Sequence, residues 1–168
     1  MSTTELNPEV TEIRNNIRSS YDSLMHLLRE QVAKLDQPAL HQAYIQNEWT
    51  VMENVAHIIE FMPYWGNEVK NLVEEPGRNF GRTMQDPGRL KAISEHGKDN
   101  LEQALRDLPP SFAALDDVLS NLKDSDLKLT GVHSKFGERS LEWFIDEFIT
   151  RHLQNHVIQL QTVLEAMP

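Results

Sequence analysis

Cysteine is absent from this 168-residue chain. Disulfides, thiolate metal sites and a cysteine nucleophile are thereby excluded. Basic residues are scarce: 16 Lys and Arg stand against 26 Asp and Glu, a net charge of -10. The deficit is even, with 12 acids and 7 bases in residues 1–84 and 14 and 9 in residues 85–168. No basic patch accumulates, so nucleic acid and anionic membrane surfaces are not expected as partners. Long apolar runs are also missing. None approaches the roughly 18 residues of a spanning helix, and the mean hydropathy is -0.50. Met1 to Val10 lacks the basic and apolar regions of a secretory signal, which gives a cytoplasmic expectation. Gly77, Gly81 and Gly88 do not form a phosphate-binding loop, and no serine lies in a nucleophile elbow.

What the chain does contain is helical periodicity. The length suits one domain over residues 1–168. Val10, Ile13, Ile17, Tyr21, Leu24, Leu28, Val32 and Leu35 recur every three or four residues and predict a first helix from about Glu9 to Leu35. A connector follows over Asp36 to Glu48. The second helix is predicted to start at Thr50, with Glu53 completing a capping box, and to end at Pro76-Gly77. Pro63 lies inside it and removes a donor to the Ile59 carbonyl, so a kink is expected. Residues 76–89 form the strongest loop signal, long enough to carry function, with a short helix at Leu90 to Glu95. A third helix fits Asp99 to Leu122, kinked or split by Pro109-Pro110. Lys123 to Glu138 reads as a polar loop, and a fourth helix runs from Arg139 or Ser140 to about Ala166. No segment alternates convincingly as a strand. The expected fold class is all-α, a four-helix bundle.

Seven histidines are present, and two of them form a pattern. His152 and His156 lie four apart, on one face of a helix, where a single metal ion can join their rings. At about 100° per residue, Leu141, Ile145, Phe148, Ile149, His156 and Val163 all fall within about 60° of His152. That places both imidazoles in the apolar stripe. Buried imidazoles need partners, and a shared metal would satisfy both. The same spacing also suits a hydrogen-bonded or solvated pair. A further ligand must come from another helix, and His57 is the leading candidate. It lies about 110–120° from the centre of its own stripe, beside Phe61, which fits either a cavity wall or a solvent-facing ring. His26, His41, His96 and His133 are read as surface or loop residues. Trp49, Trp65 and Trp143 are read as packing, and Glu74-Glu75 and Asp116-Asp117 as solvated faces. A ferritin-like di-iron site is excluded, because no histidine follows a glutamate at the required spacing.

Asn47-Glu48-Trp49-Thr50, leading through Glu53 to His57, resembles the start of helix two in the DinB/YfiT-like superfamily. Gly81-Arg82-Thr83 with Asp86-Pro87-Gly88-Arg89, and Gly137 through Ile145 to His152 and His156, resemble its later segments. The likeness spans about residues 10 to 166. It implies a four-helix bundle, often dimeric, with a divalent metal held by His57, His152 and His156. Three imidazoles and no fourth protein ligand leave an open position, as in catalytic sites. Zinc or nickel suits such ligands, and iron or manganese is compatible. The resemblance implies a small-molecule substrate and transfer of a low-molecular-weight thiol to an electrophile. Metal-dependent hydrolysis at the same site is the alternative, as is a non-enzymatic, stress-related metal- or ligand-binding bundle. Glu53 is a candidate for orienting His57 or relaying a proton, in competition with its role as a cap.

Overall fold

The computed structural model describes residues 6–168. Four principal helices build it: α1 (Pro8–Glu30), α3 (Val51–Glu74), α5 (Leu101–Ser120), and a fourth made of α6 (Leu141–Ile145), a π-helical turn (Asp146–Thr150) and α7 (Arg151–Glu165). Short helices α2 (Gln37–Leu40) and α4 (Pro87–His96) lie in the connections. α1 packs on α5 and α7, and so does α3. The first two long helices therefore occupy a diagonal of the bundle, which the long 31–50 connection makes feasible. None of the helices is long and apolar enough to cross a membrane.

Local chemistry sets the helix starts. Thr50 and Glu53 form the expected capping box, with Glu53 N–H donating to Thr50 Oγ1 at 3.1 Å and Thr50 N–H to Glu53 Oε2 at 2.9 Å. Asn100 and Ser140 cap α5 and α6 through their side chains. α1 is capped from a distance: Asp124 accepts from the backbone N–H groups of Glu9 and Val10.

The prolines do not divide their helices, so the expected split at Pro109-Pro110 is corrected. α3 runs unbroken through Pro63, and α5 runs unbroken through Pro109-Pro110. At α3 the reason is specific. Pro63 cannot donate to the Ile59 carbonyl, but the buried Ser111 hydroxyl of α5 donates to that oxygen instead. An otherwise orphaned acceptor is satisfied across the helix interface.

The stretch read as a polar loop contains a hairpin. β1 (Thr130–His133) and β2 (Gly137–Ser140) pair antiparallel, with Thr130 opposite Ser140 and His133 opposite Gly137. Four-residue strands are too short to declare themselves by alternation. Backbone pairing with the 76–89 loop supports them: Phe80 N–H donates to Val132 O at 2.9 Å and Val132 N–H to Arg78 O at 3.0 Å. Gly131 permits this packing, since a Cβ there would lie 2.7 Å from Leu72 Cδ1. Asp116 is also not a merely solvated acid. It pairs with Arg14 at 3.0 Å and Arg18 at 2.9 Å, tying α1 to α5.

The π turn solves a phase problem. On an uninterrupted helix the core residues of α7 (Leu153, Val157, Leu160, Val163) would point about 100° away from those of α6 (Leu141, Phe144, Ile145). Inside the π turn, Arg151 N–H donates to the Asp146 carbonyl, five residues back, absorbing one extra residue. Both apolar sets then face the core, and all seven residues are buried.

Candidate metal centre

The same rephasing decides where the histidines point. His152 and His156 are not at the centre of a single apolar stripe, as the continuous-helix arithmetic had them. They lie on the flank of the α7 core face, turned toward α3. His156 is buried and His152 half-buried. His57 does not face water. It is 2% exposed, because the first half of α3 is covered on nearly every side.

The three rings converge. Their centroids are 5.2 Å (His57–His152), 4.9 Å (His57–His156) and 4.8 Å (His152–His156) apart. The nearest nitrogens, His57 Nε2 and His152 Nε2, are separated by 3.3 Å. One ligand atom from each residue lies within 4.8 Å of the others, the only such group of three or more among the described residues.

The surroundings fix which nitrogen is free. His152 Nδ1 is 3.1 Å from the Phe148 carbonyl, inside the π turn. His156 Nδ1 is 3.3 Å from Asn54 Oδ1. Asn54 is itself oriented, because its amide nitrogen donates to the Thr50 carbonyl at 3.1 Å. Both rings thus carry their proton on Nδ1 and present Nε2 as a lone pair. Stacking locks the planes. Phe61 lies against His152 at 4.3 Å and 11°. Trp49 is parallel to His156 at 6.0 Å and edge-on to His57 at 5.1 Å. Trp49 therefore walls the centre rather than simply packing.

The donor set fits a divalent cation. An Nε2···Nε2 separation of 3.3 Å is close to the edge of a tetrahedron with metal–nitrogen bonds of about 2.0–2.1 Å. Burial, with the neighbouring imidazoles next, holds the pKa of His152 down to about 4 and that of His156 to about 2. Burial also lowers that of His57. At neutral pH all three are uncharged and need lose no proton to bind a metal.

These depressed values make the apo chain pH-sensitive. Below 6.5, the ordinary histidine value, the unfolded chain takes up protons that the folded chain refuses until about pH 4 at His152. Stability present above pH 6.5 is therefore lost as the pH falls through that window, by up to about 1.4 kcal/mol per unit for each refusing ring. Urea denaturation of metal-free protein at pH 7.5 and 5 will show it as a lower midpoint at pH 5. An unchanged midpoint would refute the burial of neutral rings.

Other residues near the site were not visible in the sequence pattern. Glu60 Oε2 stands 3.6 Å from His57 Nδ1, and both Glu60 oxygens are gripped by Arg82 at 2.6 and 2.7 Å. The spacing of three between His57 and Glu60 was the available signal. Glu53, the earlier candidate, is occupied by its cap. The 76–89 loop does carry site residues, as its length suggested: Arg82, Thr83 and Met84 line a cavity of about 260 Å³ with His57 and His152. His133 is a correction. It is buried beside Phe136 and Phe148, and its Nδ1 accepts from Lys135 N–H at 3.0 Å, so it is neither a surface residue nor part of the cluster.

No curated protein matches this sequence. Several solved structures share the fold. YfiT from Bacillus subtilis, described as a probable metal-dependent hydrolase with an unusual four-helix bundle topology, matches with a TM-score of 0.75 at 14% identity. The match covers 98% of this chain and 91% of that one. TT2238, described as a four-helix bundle protein, matches at 0.63 and 19% identity over 91% and 98% of the two chains. A mycothiol-dependent maleylpyruvate isomerase matches at 0.63 and 11% identity, over 94% of this chain and 60% of its own. At these identities the likeness speaks for the fold alone. The sequence pattern of the DinB superfamily matches residues 20–160, and the chain belongs to that superfamily.

Proposed function

We propose that this chain is a metal-dependent enzyme in which His57, His152 and His156 hold a divalent ion, zinc or nickel foremost, and in which a low-molecular-weight thiol is transferred to a small electrophile. The observation that carries the reading is the convergence of three neutral imidazoles, two of which (His57 and His152) line a cavity, with no fourth donor in the group. Three ligands and an adjoining cavity suit an ion that must accept an exogenous partner. A divalent ion there would supply Lewis acidity, lowering the pKa of a thiol or water that reaches it.

The protein's own part is positional. Asn54 and the Phe148 carbonyl hold two rings in the tautomer that leaves Nε2 free. Phe61 and Trp49 fix the ring planes. Trp65, Phe148 and Met84 give the cavity an apolar wall that limits water around the reacting sulfur. In the overall step a sulfur–carbon bond forms, the bond to the electrophile's leaving group breaks, and the thiol proton passes to solvent.

The isomerase relative, mycothiol-dependent by description, supports this reading. The YfiT relative, described as a probable metal-dependent hydrolase, supports hydrolysis at the same centre as the second. One assay separates them. Zinc-loaded protein is mixed with 2-mercaptoethanol and an activated haloarene, and with the haloarene and activated esters alone. Thiol transfer predicts loss of free thiol in step with adduct and no product without thiol. Product formed from the esters without thiol reassigns the centre to hydrolysis. Inertness to both leaves a metal-binding bundle.

A further inference from the structure

The charges around the cavity are unequally satisfied. Arg82 is spent: it is bidentate on Glu60, lies 3.4 Å from Asp86, and its guanidinium stacks 3.7 Å over the Tyr64 ring. Glu147, also in the cavity lining, is taken by Arg151, which pairs with Asp146 as well. Arg89 differs. Its one side-chain hydrogen bond runs from Nη1 to the Met84 carbonyl at 2.9 Å, and its guanidinium lies 5.3 Å from the centroid of the Trp49 ring. Among the described residues, no carboxylate stands within ion-pair distance of it. This happens in a chain with ten more acids than bases, where a counter-ion is the easiest thing to supply.

Arg89 is also close to the centre. It lines the cavity with His57 and His152, and its charge works against protonation of all three imidazoles. Trp49 joins the two features, touching His57 and His156 with its ring while lying under the guanidinium. The arginine is half-buried, so its charge is less screened than on an open surface. Its free N–H groups form a planar fork, the geometry that grips a carboxylate through two parallel hydrogen bonds. Thr83 and Asn155 add polar groups to the cavity lining.

Building on the thiol-transfer reading above, we propose that the cavity takes a small molecule bearing a carboxylate, with Arg89 as the residue that receives it. The carboxylate sets the orientation, and the reactive end of the same molecule is directed toward the three histidines. Selectivity for acids over neutral analogues then resides in one side chain.

The probes are 3-mercaptopropionate and its neutral amide, 3-mercaptopropanamide, titrated calorimetrically into zinc-loaded protein. The acid is expected to bind about ten-fold tighter or better, the worth of one charge-assisted pair. Arg89→Gln is expected to cut the ratio below about two-fold with zinc content unchanged, and Arg89→Lys to leave an intermediate ratio. Equal binding of both probes by the unaltered chain overturns the Arg89 assignment and leaves thiol binding standing. So does an acid preference that survives Arg89→Gln. Failure of both probes to bind overturns the thiol reading together with this one.

Discussion

Replacing His152 by alanine is expected to take the protein from close to one divalent metal per chain to well under a tenth. The two remaining imidazoles, His57 and His156, come from different helices, with ring centroids 4.9 Å apart. They would keep one donor each and lose the nearest nitrogen pair, the 3.3 Å contact between His57 and His152. The loss should also appear as stability. A ligand bound only by the folded state adds about 2.7 kcal/mol at one hundred times its dissociation constant. Added zinc should therefore raise the melting temperature of the unaltered chain and leave His152→Ala nearly unmoved. His133→Ala is the control, since its ring packs with Phe136 and Phe148, outside the cluster. Elemental analysis of protein prepared without a histidine tag decides the matter. Full occupancy in His152→Ala, or equal loss in His133→Ala, would sink the assignment.

Phe61→Ala is expected to be the most destabilising single truncation near the site, at about 3–5 kcal/mol. Phe61 is fully buried, and its ring is among the largest completely enclosed side chains. Removal deletes its transfer free energy and leaves a cavity that surrounding helices cannot close. It also removes the stack on His152, a contact of a kind worth about 0.5–1.5 kcal/mol between aromatic rings. The two effects separate by substitution. Phe61→Leu restores most of the volume but not the stack, so it should recover stability while zinc affinity stays weakened. Ile158→Ala, at an exposed position of α7, should change the urea midpoint little. A cost under about 1 kcal/mol for Phe61→Ala would show that the site is looser than its packing indicates.

Sequence made much of this legible where the cause was local. The Thr50–Glu53 capping box and the four long helices follow from residue type and spacing within one turn. So does the pairing of His152 with His156. What escaped were features settled by partners distant in the chain. Asn54 and Glu60 acquire their roles because α3 meets α7 and the 76–89 loop. The continuity of α3 past Pro63 depends on a serine 48 positions after it. The hairpin is held by backbone pairing with residues 78–80, which no alternation within 130–140 announces. A single buried face leaves His57 ambiguous, whereas α3 is buried almost all round near its start. The π turn was detectable in principle. The apolar sets of α6 and α7 disagree by about one residue's rotation, and His152 lies between them, within reach of both stripes.

That extra residue gives length change in this stretch a direction. Losing one residue between 146 and 150 turns the π turn into plain α-helix with the apolar sets of α6 and α7 still in phase. Gaining one rotates Leu153, Val157 and Leu160, or Leu141 and Phe144, about 100° out of the interior and takes the imidazoles off α3. Asp146 is exposed and open to exchange, whereas Ile149 is fully buried and the Phe148 carbonyl holds His152. Descendants of this gene should therefore shed insertions here far more readily than single-residue deletions.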